Sequence, residues 1–591
     1  KKNPMRKLLH VIIILGVLTL SGCALNQMVK MADEQNLTVT PNPLEVHADT
    51  VAFEMSANLP VKMLKKGKVY TINTFYQYGD SELALDPIQF KAEDYPNADE
   101  QQPQQTQEFA FAYSPAMKNG MLQIQGVALD PKNGKSKETE RLDVAPGVIT
   151  TSKLVKAVYH PTYADHGYNN QEELVPVLVN FYFDQGRSVL KYSERRSDRG
   201  KKFDAFIAEK NVTRTVTITG THSPEGAERI NSTLAKDRAK SIEDYYRKQM
   251  NKYDYAGMAD SIKFITKDVV EDWSIFKDSL AVYEGISSEE KSAYLDIVNG
   301  PGSYEEKEDK LHKLPTYNKV FRELYPKLRV AKTSILKVKE KKTDAEISVL
   351  AKQIADGQAS ADTLSEEELM YGATLTPSLK EKEAIYLAAT KKSGSWNAHN
   401  NLGAVYVAMA MEGNSSAGDK AMAQLEIAAN KNATAEVHAN LASVQLMKGN
   451  PYKAHEHLTK ATSLSGDNAS GVNGVRGSVQ IMLAKYGDAV RSTSNATDDA
   501  TNLFNKGLAQ LLNKDYQNAL GTFKEAATKD SEMALAYYGA AIASAHTGNE
   551  DDVYDYIGQA VEADPELKQK ALEDLEFATY VSNEQFRNLL K

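Results

Sequence analysis

The chain has 591 residues, 42% hydrophobic and 25% charged. That is the composition of ordinary globular protein, with length for three or four domains. With 70 basic against 79 acidic side chains the net charge is −9, which argues against a nucleic-acid partner. A single cysteine excludes intramolecular disulfides and any cysteine-based metal site.

That cysteine ends the first element. Met5-Arg6-Lys7 reads as a basic start, with the residues before it as upstream readthrough. The apolar run Leu8 to Leu20 falls short of the ~20 residues a bilayer span needs and runs into Leu20-Ser21-Gly22-Cys23. This resembles the lipobox of a bacterial lipoprotein signal peptide. The resemblance implies a signal over 1–22, fatty acylation of Cys23, an acylated tether over 23–36, and attachment to the outer membrane. At ~0.8 kcal/mol per buried CH₂, several chains hold such a protein on the membrane essentially permanently. In lipoproteins of the Bacteroidota type an acidic cluster behind the cysteine marks surface display. Ala24 to Gln35 holds no tight one, which favours a periplasm-facing body.

Residues 37–150 read as all-β. Val51, Phe53 and Met55 alternate with small or polar neighbours, and Tyr70-Thr71-Ile72, Phe109/Phe111 and Leu122/Ile124 repeat the pattern. Pro41-Asn42-Pro43, Lys65-Lys66-Gly67 and Asp130 to Gly134 supply the turns. Period-two runs of this length predict an immunoglobulin-like β-sandwich. Gln101 to Gln105 predicts an exposed loop tip. Nothing here suggests chemistry. A spacer or docking module is expected, with a carbohydrate-binding sandwich as the other reading.

Residues 160–340 change character. A strand at Val177 to Phe183 precedes a helix near 198–210 and a β-branched run from Val212 to Thr219. Gly220-Thr221-His222-Ser223-Pro224-Glu225-Gly226 follows, then a long amphipathic helix near 227–250. Gly220, Gly226, Asn231, Leu234, Arg238 and Ala239 stand in the register of the OmpA C-terminal-like (peptidoglycan-associated) family, which this segment resembles. The Ser-Pro-Glu-Gly variant is similar to Bacteroidota members. The resemblance implies an α+β fold that binds the diaminopimelate stem peptide of peptidoglycan, an Asp of the loop holding its ammonium and Arg238 its carboxylate. Here Ser223 stands at the Asp position. A hydroxyl cannot make the charge-assisted bond a carboxylate makes, and Glu225, two residues on, is the candidate to supply the charge. The plainer reading of Arg238 is that it ties its helix to the sheet.

A strand at Ser261 to Thr266 and Glu271-Asp272-Trp273 then lead into a helical insertion, about 269–328, before a closing strand at Val330 to Val338. Such an insertion also resembles Bacteroidota OmpA-like proteins. Leu328-Arg329-Val330 takes the place of the family's Asn-Arg-Arg-Val motif, so Arg329 is a second candidate for the wall-facing site. The Glu/Lys-rich stretch Glu305 to Lys313 predicts a solvated helix face.

The last third repeats itself. After a helical lead-in over 345–395, Leu402-Gly403 with Tyr406, then Ala421, Leu425 and Ala428, make one unit. Leu441-Ala442 with Ala454, Leu458 and Ala461 make a second. Gly507, Ala519, Phe523 and Ala526 make another, Ala560 and Asp564-Pro565 close the last, and the unit around Gly477 and Ala489 is degenerate. Residues 396–580 thus resemble an all-α tetratricopeptide-repeat (TPR) solenoid, whose concave face implies a bound protein segment.

No H-E-x-x-H, Walker A or G-x-S-x-G motif occurs. His222 beside Ser223 is not triad geometry. The expectation is a non-enzymatic, cofactor-free envelope lipoprotein linking outer membrane to peptidoglycan and recruiting a protein at the repeats. The alternative is an OmpA-like domain degenerate for wall binding, in a scaffold of a secretion, gliding, fimbrial or barrel-assembly machine.

Overall fold

The structure, a computed structural model, describes residues 23–591 except 256, 270–272 and 466–469. The expected signal segment and the Glu271-Asp272 motif lie outside the described residues. The chain divides into two compact units: residues up to Tyr168 together with Asp344–Lys591, and Asn169–Thr343.

The first unit opens with helix α1 (residues 23–31). Leu25, Met28 and Ala32 recur at helical spacing and are buried in the core of the strands that follow. Residues 23–36 are therefore not a slack tether. Exposed Cys23 sits at the start of a docked helix. Ten strands come next: β1 (Asn36–Thr40), β2 (Leu44–His47), β3 (Thr50–Asn58), β4 (Val69–Tyr78), β5 (Ser81–Lys91), β6 (Gln104–Ala112), β7 (Met121–Asp130), β8 (Lys135–Glu138), β9 (Leu142–Pro146) and β10 (Val148–Ile149). They form two five-stranded sheets, β1-β3-β2-β10 with β6 on β3, and β5-β4-β7-β8 with β9 on β7.

Alternation decides which side chains face inward. Val51, Phe53 and Met55 of one sheet share a core with Tyr70, Ile72, Leu122 and Ile124 of the other. Phe53 stacks on Phe109 at 5.0 Å and Tyr76 meets Phe111 at 4.9 Å. The expected loop tip at Gln101 to Gln105 is shorter than its polarity suggests. Pro103 is buried, its carbonyl accepting from Leu59 N at 2.9 Å, and Gln104 already begins β6.

The second unit runs β11 (Leu174–Tyr182), α2 (Tyr192–Arg196), α3 (Asp198–Ala208), β12 (Thr213–Gly220), α4 (Glu228–Lys252) and β13 (Lys263–Asp268). Helices α5 (Ser274–Ala281), α6 (Ser288–Asn299), α7 (Tyr304–Leu311), α8 (Tyr317–Glu323) and α9 (Tyr325–Leu328) follow, then β14 (Val330–Val338). The sheet order is β11-β14-β12-β13, parallel only between β12 and β13. Helices α3 and α4 bury Phe203, Ile207, Ile242 and Tyr246 against its Phe181, Val216, Ile218 and Ile335. The α5–α9 insertion has its own aromatic core, including Trp273, Phe276, Tyr294 and Tyr325. Its Glu/Lys-rich helix α7 is not solvated all round. Glu308 is buried and accepts from Tyr317 Oη at 2.6 Å and Tyr325 Oη at 2.9 Å.

Back in the first unit, α10 (Asp344–Ala355), α11 (Glu366–Thr374) and α12 (Leu379–Lys392) lead into packed pairs: α13 (Trp396–Met411) with α14 (Ala417–Lys431), α15 (Ala435–Met447) with α16 (Pro451–Ser465), and α17 (Ser470–Met482) with α18 (Tyr486–Ser494). The series continues with α19 (Ala500–Leu512) on α20 (Tyr516–Lys529) and α21 (Ala534–Thr547) on α22 (Glu550–Ala563), closed by α23 (Leu567–Glu573) and α24 (Glu584–Leu589). The C-terminal region is thus a helical-repeat array. Its phased small residues set helix spacing: a Cβ on Gly403 would lie 2.6 Å from Leu425, and one on Gly507 2.8 Å from Phe523. Leu402, Tyr406, Ala421, Leu441, Ala454, Ala519, Phe523 and Ala560 are all buried.

Candidate functional site

Residues 155–168, between the strands and the second unit, adopt no regular secondary structure. They run along the array as an extended strap, opposite to the order of the repeats. Buried polar side chains of α13, α15, α17 and α19 hold its main chain. Asn505 Oδ1 accepts from Lys156 N at 3.0 Å while its Nδ2 donates to Lys156 O at 2.7 Å. Ser478 Oγ accepts from Val158 N at 3.3 Å. Ser443 Oγ accepts from His160 N and donates to its carbonyl, at 3.2 and 3.3 Å. Asn440 pairs with both groups of Thr162 at 2.8 and 2.7 Å, and Asn401 with both of Ala164 at 2.7 and 3.0 Å. Asn400 Nδ2 adds a bond to Thr162 O, and its Oδ1 accepts from Asn440.

The chemistry suits the task. A carboxamide carries an acceptor beside two donors, so one Asn satisfies the N–H and the C=O of the same strap residue. An extended chain turns the same edge to its partner at every second residue, and the residues held are 156, 158, 160, 162 and 164. Pro161, which has no N–H, falls between two of them. Side chains add fit. Tyr168 stacks on Tyr371 at 4.7 Å, and a Cβ on Gly471 would lie 2.3 Å from the His160 ring. Burial holds the His160 imidazole below its usual pKa.

The residues singled out from sequence as wall-binding candidates lie in the second unit, and most of them converge. Arg329 is buried. Its Nε donates to Ser223 Oγ at 2.9 Å and to Glu225 Oε1 at 3.1 Å, and its Nη2 to Glu225 Oε1 at 2.7 Å. Asn231 Nδ2 braces the loop through the carbonyls of Glu225 and Gly226. Arg238, 1% exposed, donates to three main-chain carbonyls: Arg187 and Asp184 at 3.0 and 3.1 Å, and Thr221 at 2.8 Å. Burial, and then the neighbouring Arg329, push its pKa down to about 10, so it is still a cation at neutral pH. Ser223, Glu225, Asn231 and Arg238 line a cavity of about 450 Å³ together with Gln185 and Phe321. Glu225 Oε2 is buried with no partner. His222 Nδ1 bonds the Ser223 carbonyl at 2.9 Å, not its hydroxyl, and burial lowers its pKa.

Sequence reasoning missed the strap and its asparagines. The missed signal is that Asn401, Asn440 and Asn505 each stand two residues before a phased small residue, Gly403, Ala442 and Gly507. Among the described residues, no group of three or more His, Cys, Asp or Glu is placed to hold a metal, and no helix is long and apolar enough to cross a membrane.

No family model matches the chain, and no curated protein matches it. Among solved structures, a crystal structure of MamA is similar at 18% identity over 27% of this chain and 95% of that one, with a TM-score of 0.24. The C-terminal part of a TPR repeat-containing protein from Cytophaga hutchinsonii is similar at 16% over 39% and 91%, TM-score 0.28. Pseudomonas aeruginosa pilF is similar at 16% over 40% and 99%, TM-score 0.29. These scores carry no argument of their own. The repeat character rests on the helix pairs and phased glycines of the chain itself.

Proposed function

We propose that this protein is a non-catalytic scaffold whose repeat array works by gripping extended polypeptide. The observation behind the reading is the Asn/Ser ladder, which holds main chain rather than particular side chains. Its groove is already filled by the chain's own strap, so a recruited protein meets the outer faces and the C-terminal end of the array. Crosslinking in intact cells from a photoreactive residue at exposed Tyr452 should capture one discrete protein partner. A failure to capture any would remove the scaffold reading.

The compartment and the second unit extend this proposal. Cys23 would carry the acyl chains of an outer-membrane lipoprotein, with an immunoglobulin-like module beside it and the body facing the periplasm. The second unit would be OmpA-like. Two features support a wall-binding role there: two arginines beside a single carboxylate favour a ligand carboxylate, and the unpartnered Glu225 Oε2 suits an ammonium. Co-sedimentation with purified sacculi, lost in Glu225→Gln and in Arg329→Gln, is the expected result. The alternative, a domain degenerate for wall binding, is favoured by the Ser223 hydroxyl being engaged by Arg329 and by Arg238 being engaged on main-chain carbonyls. It would be supported by sedimentation no better than that of an unrelated protein.

A further inference from the structure

The sheet of the second unit has one face that its own helices leave open. Helices α3 and α4 pack on the side of Phe181, Val216 and Ile335. Alternation sends every second residue of each strand the other way. Leu174, Pro176 and Leu178 of β11 line one edge of that open face, and Lys263 and Lys267 of β13 line the other. Between them stand Lys332 of β14, in one row with Thr219 and Lys267, and the threonines of β12. No residue on this side of the four strands is buried. Leu178 is 73% exposed and Leu174 41%.

The charge on this face has one sign. The four strands hold a single carboxylate, Asp268, and alternation puts it on the helix side with Phe264. Just before β11, Glu172 is paired with Arg214 at 2.6 Å. An apolar edge thus lies beside three exposed ammonium groups with no acid among them.

These features select the occupant. β11 is the edge strand, and Pro176 has no N–H to give, which disfavours addition of a partner strand there. A second copy laid face to face would set lysine on lysine. The face measures roughly 450 Å² at ~3.3 Å per residue and ~4.8 Å per strand, about half the ~800 Å² that each partner gives to a stable protein interface. A lipid surface sets no such threshold. It takes up leucine side chains at the acyl boundary and meets ammonium groups with phosphates. A chain already tethered to that surface docks from a high effective concentration; the tether rests on the acylation proposed for Cys23. We propose that this sheet face docks on an anionic phospholipid surface, Leu174 and Leu178 entering the interface and Lys263, Lys267 and Lys332 lying against the lipid phosphates.

The test uses residues 23–591 with Cys23→Ser, so that neither the apolar leader nor an acyl chain contributes. Flotation is measured with vesicles of phosphatidylcholine alone and of an equimolar mixture with phosphatidylglycerol. The anionic vesicles should carry more protein than the neutral ones, and less as salt rises. Replacing Lys263, Lys267 and Lys332 together by Gln should weaken the binding about tenfold or more, and Leu178→Ser about threefold or more, both with an unchanged urea transition. Lys201→Gln with Lys202→Gln, at exposed positions of α3, should leave it unchanged. Equal flotation with both vesicles, or no loss in the triple variant, would overturn the proposal. An acidic protein is the competing occupant. If Leu178→Ser has no effect while soluble poly-glutamate binds with the same lysine dependence, the lipid reading falls. The tested chain carries no acyl group, so the vesicle result and the acylation of Cys23 fail separately.

Discussion

Several single side chains carry more of this structure than their neighbours suggest. A Cβ on Gly220 would lie 1.9 Å from the Ala235 carbonyl oxygen, so the strand β12 and the helix α4 touch backbone to backbone there. Gly220→Ala should destabilise the second unit by about 1–3 kcal/mol or more, as overpacking against an unyielding backbone does, which urea denaturation would measure. Arg238→Ala removes the donor from three main-chain carbonyls at once, at roughly 1 kcal/mol or more each. Loss of sacculus binding in that variant would therefore report unfolding as readily as a lost contact.

Glu308 offers a pH test at the same scale. Burial raises its pKa above the ordinary 4.5, and the two tyrosine hydroxyls oppose the shift. The folded state thus retains its proton to higher pH than the unfolded state, and the stability this contributes is lost as pH rises through that window. Relative to wild type, Glu308→Gln should flatten the fall in stability with pH above the ordinary Glu range, measured as urea midpoints. An unchanged slope would show that another group titrates.

Elements are held by what their ends and faces present, and the strap is the clearest case. Its backbone has no sheet or helix to satisfy it, so the array does. Asn440→Ala leaves the N–H of Thr162 without its partner and its C=O with Asn400 alone, at about 1–3 kcal/mol for the unsatisfied N–H. Hydrogen exchange at Thr162 and Ala164 should speed up in this variant, while the β-sheet amides stay protected. Val158→Pro should act in the same way, because it deletes the N–H that Ser478 receives. Pro161 is already tolerated because its nitrogen is not used.

At the scale of the molecule, the strap explains why residues at opposite ends of the chain form one unit. Leu154 packs in the core of the C-terminal helices, Ser152 Oγ donates to Val46 O at 2.6 Å, and His47 Nδ1 meets Tyr486 Oη at 2.6 Å. The β-rich region and the array should therefore melt in one calorimetric transition. Asn169–Thr343 interrupts that unit as a closed insert. Its entry and exit lie side by side, Lys339 N donating to Glu173 O at 2.8 Å and the Lys341 ammonium to Asn169 O. Domains with adjacent termini can be removed without stretching the host. Replacing 169–343 with a short Gly-Ser linker should leave the remaining unit folded, checked by far-UV circular dichroism and strap protection.

Local periodicity is what made the N-terminal strands and the C-terminal repeats legible. Val51, Phe53 and Met55 announce a strand by alternation, and Leu402, Gly403, Ala421 and Leu425 announce a helix pair by spacing, because each pattern is set by neighbours within one element. The helix at 23–31 was hidden because its buried face, Leu25 and Met28 continued by Ala32 just beyond it, is too short to stand out from a polar leader. Glu308 looked solvated because its partners Tyr317 and Tyr325 lie on other helices. Ser223 and Glu225 could be picked from the loop, but their capture by Arg329 depends on a residue about a hundred positions away. The strap has no period of its own, and the ladder bonds that hold residues 156 to 164 reach across 237 to 349 positions of chain. Sequence by itself determined the β-rich and repeat regions, whose stabilising contacts recur within a few residues. Only the tertiary structure decided that the repeat groove is filled from within, because hydrogen bonds between distant groups leave no periodic mark on the chain.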